Sequence, residues 1–118
     1  MNMNEYQTQA MRTANFAVYK SDTDALLNGA LGLCGEAGEF ADIMKKHCFQ
    51  NSSSNPAPLD KEHLEKELGD ILWYVALCAT SLGISISDLM QMNIDKLKKR
   101  YPDGFDADRS QHRQEGDI

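Results

Sequence analysis

"GLCGEAGEFADIMKK", residues 32–46, decides the fold and poses the first question about function. It carries the periodicity of a helix, yet it holds Gly32, Gly35 and Gly38 beside Glu36 and Glu39. Each glycine inside a helix costs about 0.5–1 kcal/mol relative to alanine. Close approach of a ligand or of a neighbouring helix would offset that cost.

Working outward, this stretch belongs to a helical segment from about Asp22 to Cys48, with Ser21 or Asp22 as its N-cap. A first segment runs from about Asn4 to Lys20, and a third from about Asp60 to Leu82, closed by Gly83. The fourth begins at Ser85 or Ser87 and ends near Tyr101, because Pro102 disfavours helical geometry in the residue before it. The linker "QNSSSNPAP" at 50–58 cannot be helical. The pattern predicts an all-α, four-helix bundle-like domain over 1–105, followed by a polar, acidic tail over 106–118 that is loosely ordered unless Phe105 docks it.

Composition narrows the function. A chain of 118 residues can bury one core, and a bundle this small is expected to complete its packing in a homodimer or homotetramer. The net charge of −6 argues against holding nucleic acid through its phosphates, and a phosphate-bearing ligand would need a bridging cation. No stretch approaches the roughly 20 apolar residues of a membrane span, and the N-terminus lacks the apolar run of a signal peptide. The cytoplasm is therefore the expected location, with no membrane partner. Cys34, Cys48 and Cys78 are odd in number and lack CxxC spacing, so they are expected reduced, two of them in the core.

The carboxylates carry the chemistry. Glu36 and Glu39 flank a stripe of Leu26, Leu33, Ala37, Phe40 and Met44, and Glu67 and Asp70 flank one of Leu64, Leu68, Ile71, Val75, Ala79 and Leu82. Two antiparallel helices packed through those stripes would bring all four acids to one margin of the bundle. A solvated acidic face is the simpler reading, but such faces usually carry Lys or Arg three or four residues on. Glu36 is followed at those spacings by Glu39 and Phe40, and Glu67 by Asp70 and Ile71. Unneutralised oxygen donors without His or Cys suit Mg²⁺ or Mn²⁺. A carboxylate-bridged di-iron site would want Glu-x-x-His on two helices, and neither His47 nor His63 has a Glu three residues before it.

"GLCGEAGEFAD", "EKELGDILWYVA" and "MNIDKLKKRYPDGF" together resemble the MazG-like all-α nucleoside triphosphate pyrophosphohydrolases, from about Tyr6 to Phe105. The family pattern ExxE followed by ExxD falls on Glu36, Glu39, Glu67 and Asp70. The resemblance implies a Mg²⁺-dependent hydrolase that converts an NTP or dNTP to the monophosphate and pyrophosphate in a dimeric or tetrameric bundle. Related enzymes acting on phosphoribosyl-ATP or dUTP would keep the same acids. A non-catalytic helical bundle that binds a nucleotide or a partner helix is the alternative of a different class.

The remaining candidates fill roles around those acids. Asn93, Lys96 and Arg100 share one face of the fourth segment and match the family motif, so they are expected to bind substrate, with Lys96 and Arg100 stabilising charge on departing pyrophosphate. Lys98 and Lys99 point elsewhere and are read as solvated. Glu39 is the candidate general base. Tyr74 lies between Glu67 and Asp70 in angle, where it could stack on a base or pack in the core. Ile71 to Ala79 is apolar nearly all round, which predicts that Trp73 and Leu77 are covered, with Trp73 in the core or at an interface with a second subunit.

Overall fold

The computed structural model describes residues 1–117, and its elements are α1 (Met3–Met11), α2 (Asp22–Phe49), α3 (Lys61–Ser81), α4 (Ile86–Arg100) and α5 (Ala107–Gln111). A 3₁₀ turn at Phe16–Val18 lies between α1 and α2. Each helix start has a side-chain cap. Asn2 accepts from the Glu5 amide, Ser21 from Asp24, Asp60 from His63, Ser85 from Asp88 and Asp106 from Arg109, satisfying donors that the first turn leaves unpaired. Gly83, at φ 71°, ends α3. Its amide bonds to Thr80 O and that of Ile84 to Ala79 O, both at 3.0 Å, a Schellman closure requiring the left-handed backbone that glycine adopts freely.

The first helix stops at Met11 rather than near Lys20. Thr13 Oγ1 donates to Ala10 O at 2.8 Å, diverting the backbone from the helical ladder. The Trp73 indole donates to the same carbonyl at 3.1 Å and to Thr13 Oγ1 at 2.8 Å. Trp73 therefore has part of its cover within the chain, from α1, and is half-buried. Leu77 is fully buried.

α2 and α3 form the long hairpin on which the fold rests. Gly29 faces Cys78, Gly32 faces Tyr74, and Glu36 meets Glu67 and Asp70, so the two helices run antiparallel. On its opposite side α3 meets α1 in a cluster of Ala10, Ala76, Ala79 and Ile86, against which Met3, Tyr6, Met11, Trp73 and Ile84 pack. Gln7 ties α1 to the α3–α4 turn, donating to Thr80 Oγ1 and Ile84 O and accepting from the Ile86 amide at 2.9 Å. Flanked by α1 and α2, α3 leaves a strip uncovered, and Leu68 and Leu82 lie in it at 53% and 65% exposure. Part of the stripe read as core is thus the open side of the helix. Ala37 on α2 is exposed too, as are Cys34 and Cys48, against the expectation of two core cysteines; Cys78 is half-buried and all three are free.

The loop between the long helices is fastened by Asn51, whose side chain donates to Ala57 O at 2.7 Å and accepts from the Ala57 amide at 2.9 Å. The tail is held differently from expectation. Phe105 is 79% exposed, and Arg100 instead forms a two-point ion pair with Asp117. Among the described residues no single helix is long and apolar enough to cross a membrane.

Candidate metal centre

The approach of α2 and α3 depends on two glycines. A Cβ on Gly29 would collide with Cys78 Sγ, and one on Gly32 with the ring of Tyr74. Those two close contacts set the helices near enough for Glu36, one turn beyond Gly32, to reach across to α3. Gly35 and Gly38 have nothing within 4 Å of a built Cβ, so tight helix contact does not explain them in this chain. They line an open cavity of about 970 Å³ together with Glu39, Ile43, His47, Asn51, Asp60 and His63.

One oxygen from each of Glu36, Glu67 and Asp70 lies within 4.8 Å of the others. Glu67 is 5% exposed, Glu36 half-buried and Asp70 exposed. Partial burial first, and then the charges of Glu39, Asp70 and Glu67, push the Glu36 carboxyl above its ordinary range. Burial and the negative charge of Asp70 likewise raise the hydroxyl of Tyr6 on α1. His63 Nε2 lies 2.9 Å from Glu67 Oε1, while Glu67 Oε2 is buried with no hydrogen-bond partner.

No lysine or arginine among the described residues forms an ion pair with Glu36, Glu39, Glu67 or Asp70. The contrast with the end of α2 is informative. Asp42 pairs with Lys45 at 3.2 Å and Lys46 at 2.6 Å, and its carboxyl is correspondingly held below the usual range. That is an ordinary solvated face. Three crowded carboxylates with a buried, unpartnered oxygen instead fit a hard divalent cation, which would satisfy Glu67 Oε2 and cancel the mutual repulsion.

The other sequence candidates fall in separate places. Glu39 lies one turn beyond Glu36, exposed on the cavity wall and outside the three-oxygen cluster, though its charge acts on Glu36. The Tyr74 ring lies over Gly32, edge-on to Trp73 with centroids 5.0 Å apart. Lys96 and Arg100 line a second cavity, of about 940 Å³, that shares no residue with the first and contains none of the four acids. Lys99, read as merely solvated, lines it too. Arg100 Nε and Nη2 donate to Asp117 at 2.7 and 2.6 Å, so the tail carboxylate takes the place expected for phosphate. Asn93 is exposed. His63 and Tyr6 are the residues the sequence reading missed. The spacing of His63 four residues before Glu67 was a usable signal, whereas nothing local links Tyr6 to Asp70.

A long antiparallel hairpin whose inner seam carries three crowded acids defines an all-α protein of the carboxylate-site class. The chain belongs to the MazG nucleotide pyrophosphohydrolase domain family, whose model matches residues 26–105. It is 34% identical over 106 residues to the Gene 37 protein of Mycobacterium phage L5, covering 88% of this chain and 92% of that protein. It is 29% identical over 73 residues to the protein named Uncharacterized protein YvdC of Bacillus subtilis (strain 168), covering 58% and 69%. No solved structure matches the chain.

Proposed function

We propose that this protein is a Mg²⁺-dependent hydrolase, able to use Mn²⁺, that converts a nucleoside or deoxynucleoside triphosphate to the monophosphate and pyrophosphate. The observation that carries the reading is the Glu36, Glu67 and Asp70 cluster, with its buried, unpartnered Glu67 Oε2 and no cationic side chain to neutralise it. Glu36, Glu67 and Asp70 would hold the cation, with Glu39 joining them by a change of rotamer or through the substrate. The cation supplies charge neutralisation for the triphosphate and activation of water. Glu39, exposed on the cavity wall, would accept the proton of the attacking water.

The 970 Å³ cavity beside the acids is large enough for a nucleotide. Lys96 and Arg100 act on the pyrophosphate only if assembly or substrate binding brings α4 to the acids, and Arg100 must then exchange Asp117 for phosphate. A homodimer or homotetramer supplies such an arrangement and covers exposed apolar residues of α4, among them Met90, Ile94 and Leu97 at 48%, 46% and 36% exposure. Residues 1–105 would form the catalytic domain, 106–118 an appended tail, and the cytoplasm the working compartment.

Incubation with each NTP and dNTP, with and without Mg²⁺, followed by identification of the products, tests the proposal. Monophosphate and pyrophosphate released only with the metal support it. Nucleotide binding that is independent of metal and releases no phosphate would identify a non-catalytic bundle instead.

A further inference from the structure

We propose that His63 is a positioning residue: it holds one oxygen of Glu67 so that the other faces the cation. The inference rests on the metal-centre reading above and adds to it a residue outside the four acids. Asp60 caps α3 and accepts from the His63 amide at 3.0 Å, which fixes the start of the helix and with it the phase of the first turn. His63 and Glu67, four residues apart, then lie one above the other on the same face. The ring Nε2 reaches Glu67 Oε1 at 2.9 Å.

The consequence lies in the two oxygens of Glu67. The side chain is 6% exposed, so neither oxygen has water freely available. His63 satisfies Oε1, and Oε2 alone is left buried without a partner, on the residue that joins Glu36 and Asp70 in the cluster. A carboxylate free to rotate would present either oxygen, or both, to a cation. One pinned by a donor presents a single oxygen in one orientation, and outer hydrogen bonds of this kind typically change metal affinity by about 10- to 100-fold. His63 is itself 53% exposed on the wall of the large cavity, so its replacement leaves no void in the core.

Calorimetric titration of the full chain with MnCl₂ and with MgCl₂ tests this, with helix content followed by circular dichroism. His63→Ala should weaken binding of both ions by about 10- to 100-fold at unchanged helix content. His63→Gln keeps a neutral N–H donor on the same turn and should recover most of the loss, which a general effect on helix stability would not do. Binding by His63→Ala as tight as in the parent, or tighter, overturns the assignment, since it would mean that the histidine is inert or competes with the cation. A Gln variant as weak as Ala overturns it as well. Glu67→Gln separates the two levels: if the parent and Glu67→Gln both fail to bind either ion, the metal-centre reading falls and His63 falls with it. A parent that binds, a Glu67→Gln that does not, and an unaffected His63→Ala sink the His63 inference alone.

Discussion

The Tyr74 ring occupies the volume that a side chain on Gly32 would fill, and this single contact sets the spacing of α2 and α3 at the level of the acid cluster. Gly32→Ala should therefore destabilise the fold. Alanine contributes up to about 1 kcal/mol through helix propensity, but forcing the hairpin apart or displacing the ring costs about 1–3 kcal/mol. Gly38→Ala is the counterpart: it meets nothing within 4 Å and should raise stability by about 0.5–1 kcal/mol. Denaturant unfolding of the two variants should move the midpoint in opposite directions. A loss of stability in Gly38→Ala would show that a second copy packs against that face.

Removing one acid should abolish turnover while leaving the helices intact. Glu36→Gln or Asp70→Asn, incubated with triphosphate and Mg²⁺, should release no pyrophosphate at unchanged circular dichroism. Near-normal hydrolysis by either variant would remove that residue from the metal centre.

The same cluster gives the protein a pH dependence in the absence of metal. The folded state holds the Glu36 carboxyl above its ordinary range, so it binds the proton more tightly than the unfolded chain does. The stability contributed by that proton is present below the ordinary carboxylate range and is lost as pH rises through the raised value. Asp42 and Asp117, held low by their cationic partners, act in the opposite sense and lose their contribution as pH falls. Comparing melting temperature against pH for the parent and Glu36→Gln isolates the Glu36 part. The parent should lose stability relative to the variant across the window just above the ordinary carboxylate range, and Mg²⁺ should restore it.

Trp73 anchors α1 through two hydrogen bonds from one indole N–H. Trp73→Phe keeps most of the apolar surface and removes the donor, leaving Ala10 O and Thr13 Oγ1 without it, at a cost of about 1–3 kcal/mol. Amide exchange should quicken in α1 before α2 or α3. Equal protection of α1 in the parent and Trp73→Phe would show that the cluster of Ala10, Ala76 and Ile86 holds the helix unaided.

Lys96→Ala and Lys98→Ala separate a placed cation from a general field. Lys96→Ala should still bind Mg²⁺ but lower kcat and kcat/KM together, since charge grows on pyrophosphate as the anhydride breaks. Loss of a charge-assisted contact of about 1.5–3 kcal/mol corresponds to roughly 10- to 150-fold. Lys98→Ala should be near the parent. Equal losses in both would point to the field of the α4 end, and no loss in either would take α4 out of the reaction.

The sequence by itself determined the three longer helices, α2, α3 and α4, and their ends, because these follow from interactions within a few residues: Ser21, Asp60 and Ser85 before apolar periodicity, Gly83 after it. It also determined that Glu36, Glu39 and Glu67 are followed three and four residues on by no lysine or arginine, since spacing alone shows that. Tertiary structure decided the rest. Where a helix is apolar all round, as from Ile71 to Ala79, periodicity has no preferred face, so only the positions of α1 and α2 show that Trp73 packs against α1 and that Leu68 and Leu82 are left outside. The indole that bonds the end of α1 lies 60 residues beyond Thr13, and the carboxylate that seats Arg100 lies 17 residues on. The position of Glu39 outside the cluster and the orphaned Glu67 oxygen are likewise set by how closely α2 and α3 approach. That distance is fixed by Gly29 and Gly32 against Cys78 and Tyr74, a match of shapes between two helices that neither helix encodes alone.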